Sequence, residues 1–111
     1  MLATLLSYRL KQSGYDVLLN HDGKAVKESL AESIPDAIIC DIMMPYYSGI
    51  ELLDYVRNTL NSKVPFIMIS SASNDENVMN AFEIGANDFV SKPISPNELL
   101  ARISKELNKS A

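Results

Sequence analysis

Two patterns of apolar residues alternate along the chain, one typical of helices and one typical of buried strands. Apolar positions recur at helical spacing in five stretches, which predict helices around residues 2–10, 26–34, 50–60, 78–82 and 99–107. Between these stretches lie short runs that are apolar at nearly every position, which is typical of strands in a sheet covered on both faces. The predicted strands are residues 15–19, 37–40, 66–69 and 89–90.

Turn and capping residues separate these elements. Gly14 and Gly85 follow two of the helical stretches and are predicted helix ends, and Pro35 ends the second helix. Ser95 is predicted to cap the last helix, with a glutamate three residues later in a capping box. Either Asn74 or Asp75 can cap the fourth helix.

The predicted order of elements is α-β-α-β-α-β-α-β-α. Strands that alternate with helices through short connections imply right-handed crossovers and a parallel sheet with helices on both faces. The predicted fold class is therefore α/β, a flavodoxin-like doubly wound parallel sheet. No repeat, low-complexity tract or shift in composition marks an internal boundary, so we expect residues 1–111 to form one domain.

Composition excludes several classes of protein. The chain is 47% apolar and 22% charged, as expected of a globular domain, and its net charge of -4 argues against nucleic acid as a direct partner. The single cysteine, Cys40, excludes an internal disulfide and any multi-cysteine metal or redox motif. No apolar run approaches the length of a membrane span, so we expect a cytoplasmic protein that does not contact a membrane.

Polar side chains follow three of the predicted strands. Asp41 comes directly after the second strand, Ser70 after the third, and Lys92 closes the segment after the fourth. The carboxyl ends of parallel strands meet at one edge of a sheet, where such folds bind their ligands. A carboxylate can accept a phosphoryl group as nucleophile, while an ammonium and a hydroxyl can bind phosphate oxygens. The three residues together favour phosphoryl chemistry.

Each of these residues also has a structural explanation when taken alone. Asp41 can cap a turn, Ser70 can bond to the backbone, and Lys92 can be an ordinary surface lysine. Their coincidence at three successive strand ends favours the functional interpretation. Hydrolase or oxidoreductase chemistry has less support, because the only histidine, His21, lies in a turn after a different strand and no nucleotide-binding or nucleophile-elbow motif is present.

Three motifs carry a family resemblance. Residues 41–49 contain Asp-Ile-Met-Met-Pro followed by Gly49, residues 65–70 are Pro-Phe-Ile-Met-Ile-Ser, and residues 85–93 run from Gly-Ala-Asn-Asp-Phe to Lys-Pro. In this order and spacing they resemble the D-x-x-M-P-x-x-x-G motif, the fourth strand with its switch Ser/Thr, and the G-A-x-D-[YF]-x-x-K-P segment of response-regulator receiver domains, the CheY-like family. The resemblance covers nearly the whole chain.

The resemblance implies a receiver domain in a two-component phosphorelay, which is a signalling module and not an enzyme. Asp41 would accept phosphate from a histidine kinase or a phosphotransfer protein. Ser70 would move to bind the phosphoryl group, and Lys92 would pair with it. Phe89 matches the aromatic residue that turns inward with the switch, and the backbone carbonyl of Met43 matches a magnesium ligand.

Further positions follow from the same resemblance. Pro45, Gly49 and Pro93 match structural positions of the motifs, and the Lys92–Pro93 bond is a candidate for the cis form. Ser71 is a second candidate for the switch hydroxyl. The surface that contacts a downstream target protein would comprise the last two helices and the strand between them, including Asn80, Glu83, Phe89 and Arg102. Tyr46 and Tyr47 would lie beside the acceptor, either as a gate or packed under the loop.

The chain departs from the family at its first residues. Family members begin with an apolar central strand that ends in two acidic magnesium ligands, whereas this sequence opens at Met1 inside the first predicted helix. We therefore expect a Mg²⁺ site reduced to Asp41 and the Met43 carbonyl. We also expect residues 15–19 and 37–40 either to pair directly or to be exchanged between protomers in a homodimer. There are two alternatives. The chain is a shortened form of an ordinary receiver, or it is a degenerate receiver that binds proteins without phosphorylation.

Overall fold

The computed structural model describes residues 2–43, 46–70 and 75–110, excluding the side chains of residues 2–4, 75–77 and 109–110. Helices and strands alternate along this part of the chain. The helices are α1 (Leu2–Gln12), α2 (Gly23–Glu32), α3 (Gly49–Asp54), α4 (Asp75–Ile84) and α5 (Pro96–Ser110), and α3 continues as a π-helical segment, Tyr55–Thr59. The strands are β1 (Ile38–Asp41), β2 (Phe66–Ser70) and β3 (Asp88–Ser91). None of the described helices is long and apolar enough to cross a membrane.

The strands form one parallel sheet in the order β1-β2-β3. All five residues of the central strand β2 are buried, which explains why its sequence is apolar up to its last position. The register sets Asp41 of β1 beside Ile69 of β2, and Ser70 of β2 beside Ser91 of β3. The predicted parallel α/β architecture is confirmed.

The two faces of the sheet carry separate hydrophobic cores. Successive strand residues point to opposite faces, so Phe66 and Met68 of β2 belong to one core and Ile67 and Ile69 to the other. Helices α2, α3 and α4 cover the first core, whose buried residues include Leu30, Leu52, Leu53, Val56 and Ala81. Helices α1 and α5 cover the second, whose buried residues include Leu6, Leu10, Leu99 and Ile103.

The helix ends follow local rules. Gly14, two residues after the end of α1, and Gly85, directly after α4, adopt φ angles of 97° and 125°, which favour glycine. The Ser95 hydroxyl accepts a hydrogen bond from the N–H of Glu98, as the capping pattern predicts. A complete capping box is present between Ser48 and Glu51 at the start of α3, where the sequence has the same spacing. Asn74, the alternative cap for α4, lies outside the described residues.

The predicted strand at residues 15–19 is wrong, as is its direct pairing with residues 37–40. This segment has no regular secondary structure, and β1 is hydrogen-bonded to β2 alone among the described strands. A strand exists only where a neighbouring backbone supplies hydrogen-bond partners. An open groove separates residues 15–19 from β1, so the apolar pattern of this segment is not enough to make it a strand.

Candidate functional site

The sheet brings Asp41, Ser70 and Lys92 to its carboxyl edge. Asp41 is the last residue of β1 and Ser70 the last residue of β2. Lys92 directly follows β3, and its backbone N–H donates a hydrogen bond to the carbonyl of Ser70 at 2.8 Å. Asp41 and Ser70 reach this edge because each closes an apolar run of its strand, and Lys92 reaches it because it follows the short strand β3. The Lys92–Pro93 peptide bond is cis, as the sequence suggested.

The carboxylate of Asp41 is held on both of its oxygens. Its Oδ2 lies 2.5 Å from Nζ of Lys92, and its Oδ1 accepts a hydrogen bond from the backbone N–H of Met43 at 3.0 Å. The side chains of Lys92 and Asp41 are 32% and 29% exposed, so the pair is open to a ligand from solvent. One cation and one N–H thus converge on a single accessible carboxylate, an arrangement that suits phosphate oxygens as well as carboxylate oxygens.

The two other predicted switch residues, Ser70 and Phe89, lie on the neighbouring strands β2 and β3. Ser70 is buried, at 5% exposure, one position beyond the β2 residue that pairs with Asp41. Phe89, on β3, is half-buried and packs against the core beneath α2, α3 and α4. Ser71, the alternative switch hydroxyl, lies outside the described residues, as does Pro45 of the first motif.

Gly49 brings the start of α3 against the end of β1. Its N–H donates to the carbonyl of Ile42 at 2.9 Å, and a Cβ atom at this position would lie 2.6 Å from the carbonyl oxygen of Asp41 and 2.7 Å from Sδ of Met68. Such contacts leave no room for any other residue without a shift of the backbone. The glycine of the first motif therefore fixes the position of Asp41 through packing.

The two tyrosines of the intervening loop differ in their surroundings. Tyr46 is 74% exposed and adopts a φ of 72°, a left-handed conformation that is uncommon outside glycine. Tyr47 is half-buried and packs against the core, with Nζ of Lys27 at 4.6 Å from the centroid of its ring. Packing under the loop thus describes Tyr47, while Tyr46 extends into solvent.

Arg57 holds the third motif in place, a role that the sequence analysis missed. Its guanidinium donates to the carbonyl of Gly85 through Nε and Nη2, at 3.0 and 2.8 Å, and to Oδ1 of Asn87 at 2.9 Å. A further bond from Nη1 reaches the carbonyl of Ser62. Burial lowers the pKa of Arg57. The only feature of the sequence that pointed to this role is an arginine within a helical stretch that otherwise has an apolar inner face.

Cys40 is a core residue, in agreement with its place in an apolar strand. Its side chain is buried at 4% exposure in the core beneath α2, α3 and α4. Burial, and to a smaller extent the negative charge of Asp41, raises the pKa of its thiol to about 12. The thiol is therefore neutral at ordinary pH and has no role as a nucleophile.

The described residues do not fit a magnesium site. Mg²⁺ prefers six oxygen ligands in an octahedron, usually with one or two carboxylates. Asp41 supplies one carboxylate, whose oxygens already bind Lys92 and the Met43 N–H. No group of three or more potential acidic, histidine or cysteine ligands occurs in the part of the chain that the structure describes.

Comparison with known proteins identifies the family. The family model of the response regulator receiver domain matches residues 1–104. The chain belongs to this family. Receiver domains are signalling modules of two-component systems; members of the family usually bind Mg²⁺ and interact with histidine kinases and effector domains. The parallel sheet with Asp41, Ser70 and Lys92 at its edge is thus the sheet of a receiver domain.

Solved receiver domains share both the fold and a moderate sequence identity with this chain. The receiver domain of the Francisella response regulator 1452 is 28% identical, with a TM-score of 0.91 over 99% of this chain and 90% of its own. The BeF3-activated N-terminal receiver domain of RstA from Klebsiella pneumoniae is 30% identical, with a TM-score of 0.85 over 96% and 89%. The receiver domain of a signal transduction histidine kinase from Syntrophus aciditrophicus is 27% identical, with a TM-score of 0.85 over 97% and 83%.

Proposed function

We propose that this receiver domain accepts a phosphoryl group on Asp41 from a histidine kinase or a phosphotransfer protein. The observation that carries the proposal is the contact between Nζ of Lys92 and Oδ2 of Asp41 at the exposed edge of the sheet. A lysine in this place neutralises charge on the carboxylate and on an incoming phosphoryl group alike. The half-open edge also allows a donor side chain to approach Asp41 from solvent.

The transfer is a displacement at phosphorus. A carboxylate oxygen of Asp41 forms a bond to phosphorus, and the bond between phosphorus and the imidazole nitrogen of the donor histidine breaks. The electron pair of that bond returns to the imidazole, and Asp41 becomes an acyl phosphate. The Lys92 ammonium and the Met43 N–H, which already contact the two carboxylate oxygens, lie where they can bind the charge of the product.

The added phosphoryl charge would act as a switch. A dianion on Asp41 favours whichever arrangement directs the Lys92 ammonium and the Ser70 hydroxyl toward it. Phe89 pairs with Met68, two residues before Ser70 on the adjacent strand. In the proposed switch, a movement of Ser70 would therefore change the packing of Phe89. The proposed output surface comprises α4, β3 and α5, where Asn80 and Glu83 are exposed and Arg102 pairs with Asp88.

The metal requirement separates two candidate functions. Mg²⁺ is the expected cofactor of a receiver, yet the described residues supply a single carboxylate for it. This observation favours, as a second candidate, a degenerate receiver that binds its partner protein without phosphorylation. For either function we propose a cytoplasmic location and a downstream target protein as partner.

The test is the intact mass of the protein after incubation with a small-molecule phosphodonor, with and without added Mg²⁺. We expect a gain of one phosphoryl group that is lost in Asp41→Asn and kept in Asp54→Asn, a matched change of an exposed aspartate on α3. Gain in both variants would place the phosphate elsewhere. No gain in the unmodified protein under either condition would leave the phosphorylation-independent function.

A further inference from the structure

A lysine of α2 contacts two aromatic rings that belong to different parts of the chain. Nζ of Lys27 lies 4.6 Å from the ring centroid of Tyr47 and 5.0 Å from that of Tyr55. Tyr47 is in the loop between β1 and α3, and Tyr55 begins the π-helical segment that continues α3. All three residues are half-buried. An ammonium at these distances is attracted to the negative face of each ring, so one cation joins α2 to the loop and to the end of α3.

The rings, and not carboxylates, are the partners of this ammonium. Among the described residues, no carboxylate forms an ion pair with Lys27. Glu51 and Asp54 line the same cavity, but each already accepts a hydrogen bond, Glu51 from the N–H of Ser48 and Asp54 from the side-chain amide of Asn58. Partial burial strengthens the contact with the rings, because less water competes for the ammonium.

The loop that carries Tyr47 is bonded to the acceptor residue. At its start, the N–H of Met43 donates to Oδ1 of Asp41 at 3.0 Å. At its end, the N–H of Gly49 donates to the carbonyl of Ile42 at 2.9 Å and closes the loop. Tyr47 lies between these two hydrogen bonds in the chain. A displacement of Tyr47 would therefore disturb the N–H that binds the carboxylate.

Helix α2 also touches the backbone of this loop. A Cβ atom at Gly23, the first residue of α2, would lie 2.5 Å from the carbonyl oxygen of Tyr47 and 2.9 Å from its nitrogen. One turn later, Lys27 contacts the ring of the same tyrosine. Backbone and side chain of Tyr47 are thus both held by α2, which makes this residue the point at which the helix positions the loop.

We propose that Lys27 is a positioning residue for phosphoryl acceptance at Asp41. Its ammonium holds the ring of Tyr47, and with it the loop, in the arrangement in which the Met43 N–H binds the carboxylate. The ion pair of Asp41 is with Lys92 and not with Lys27, so Lys27 acts through the loop and not on the transferred group. The inference rests on the proposed function, because it assigns a further residue to that reaction.

Two substitutions of Lys27 test its charge. Lys27→Met keeps an unbranched side chain but removes the cation, whereas Lys27→Arg keeps a cation that stacks on aromatic rings. With a small-molecule phosphodonor, we expect Lys27→Met to gain a phosphoryl group on Asp41 at least about twofold more slowly than the parent protein, and Lys27→Arg to restore the rate. Lys105→Met, the same change at an exposed lysine of α5, is the control and should match the parent.

Amide hydrogen exchange, followed by NMR, tests whether the lost contacts hold the loop. In Lys27→Met the Met43 amide should exchange at least about tenfold faster, because opening of the loop no longer breaks two cation–π contacts. The Ile67 amide, in the buried strand β2, exchanges through global unfolding and should be faster by a similar factor. The Gly14 amide, which bonds to the Lys11 carbonyl after α1, should be unchanged. If Lys27 served stability alone, exchange would be faster at Ile67 and not at Met43.

The ring of Tyr47 is tested in the same assays. Tyr47→Leu removes the ring and should behave like Lys27→Met, whereas Tyr47→Phe keeps the ring face and should rescue both the rate and the Met43 amide. In the double variant Lys27→Met with Tyr47→Leu, the losses should be less than additive, because each change alone breaks the same contact. Fully additive losses would show that the two residues act separately and would overturn the proposal.

Three further outcomes would overturn it. One is a Met43 amide that exchanges at the parent rate in Lys27→Met. Another is an unchanged rate of phosphoryl acceptance in that variant, and the third is acceptance as slow in Lys27→Arg as in Lys27→Met. If the parent protein gains no phosphoryl group, the proposed function fails. The exchange of the Met43 amide then decides by itself whether Lys27 holds the loop, so the two failures are distinguishable.

Discussion

The ammonium nitrogen of Lys92 lies 2.5 Å from Oδ2 of Asp41, although the two residues are 51 positions apart in the chain. The contact exists because β1 and β3 end at the same edge of the sheet, on either side of β2. Both side chains remain about one-third exposed, at 32% and 29%. The pair is therefore placed for chemistry with a ligand, while solvent screening limits what it adds to stability.

Removal of the Lys92 ammonium should separate function from stability. We expect Lys92→Met to change the free energy of unfolding by no more than about 1 kcal/mol, because exposed ion pairs contribute little. We also expect it to abolish the gain of a phosphoryl group on Asp41, since the charge on the product loses its cation. Urea unfolding and intact mass measure the two quantities. Lys63→Met, on an exposed lysine, is the control; normal phosphoryl acceptance in Lys92→Met would contradict the proposed role.

A methyl group at Gly49 should displace Asp41. We expect Gly49→Ala to destabilise the protein by about 1–3 kcal/mol, because overpacking forces the backbone to move. Its Cβ atom would meet the carbonyl oxygen of Asp41 at 2.6 Å, so phosphoryl acceptance should fall as well. Gly14→Ala is the control: it has no atom within 4 Å and a φ of +97°, and should lower stability through backbone strain alone. Full phosphoryl acceptance in Gly49→Ala would show that Asp41 does not depend on this contact.

Loss of the Arg57 guanidinium should destabilise the protein more than loss of Arg102. Arg57 bonds to backbone carbonyls of Ser62 and Gly85, and those acceptors would lose their partner in Arg57→Met. We expect a cost of about 1–3 kcal/mol, because hydrogen bonds from a charged donor to part-buried carbonyls are lost. Arg102 instead pairs with Asp88 and Glu98 at 38% exposure, so Arg102→Met should cost less than about 1 kcal/mol. Thermal and urea unfolding measure the loss of stability in each variant. Equal losses in Arg57→Met and Arg102→Met would contradict the prediction.

The Cys40 thiol should be unreactive in the folded protein. Burial raises its pKa to about 12, against an ordinary value of 9.0. At about pH 8, we expect a thiol reagent to label Cys40 roughly a hundredfold faster in the urea-unfolded chain than in the native protein. Rapid labelling of the native protein would contradict the buried position.

The same raised pKa predicts a pH dependence of stability. Above the ordinary thiol value of 9.0 the unfolded chain loses the Cys40 proton while the folded chain keeps it up to about 12. The folded state then binds more protons than the unfolded state, so the contribution of this thiol is complete below 9.0 and declines as the pH rises toward 12. Between pH 9.0 and about 12, the free energy of unfolding, measured with urea, should decline less steeply with pH in Cys40→Val, which lacks the titrating thiol. Equal slopes in the two proteins would show that the Cys40 thiol does not cause the decline.

The sequence predicted well those features that depend on neighbouring residues. The apolar runs at β2 and β3 and the glycines after α1 and α4 are local patterns, and the structure has the corresponding elements. Residues 15–19 show the limit of such patterns. The segment has the composition of a strand, but strand formation depends on a neighbouring backbone that the pattern of one segment cannot reveal.

Contacts between segments that are distant in the chain could not be predicted in the same way. The Arg57 guanidinium joins a π-helical turn to residues 85 and 87, and the Gly49 contact joins the start of α3 to the end of β1. Both depend on distances between elements that are separate in the chain. The residues were visible in the sequence, whereas their partners were not.

The sequence by itself determined that Asp41, Ser70 and Lys92 lie at or directly after the ends of three strands, because hydrophobic periodicity is a local property and parallel strands share one carboxyl edge. Only the tertiary structure decided that Lys92 and the Met43 N–H hold the two oxygens of Asp41. It also decided that β1 faces a groove where the sequence had suggested a fourth strand. The physical reason is that side-chain contacts and strand pairing are set by the packing of distant segments, which no local pattern specifies.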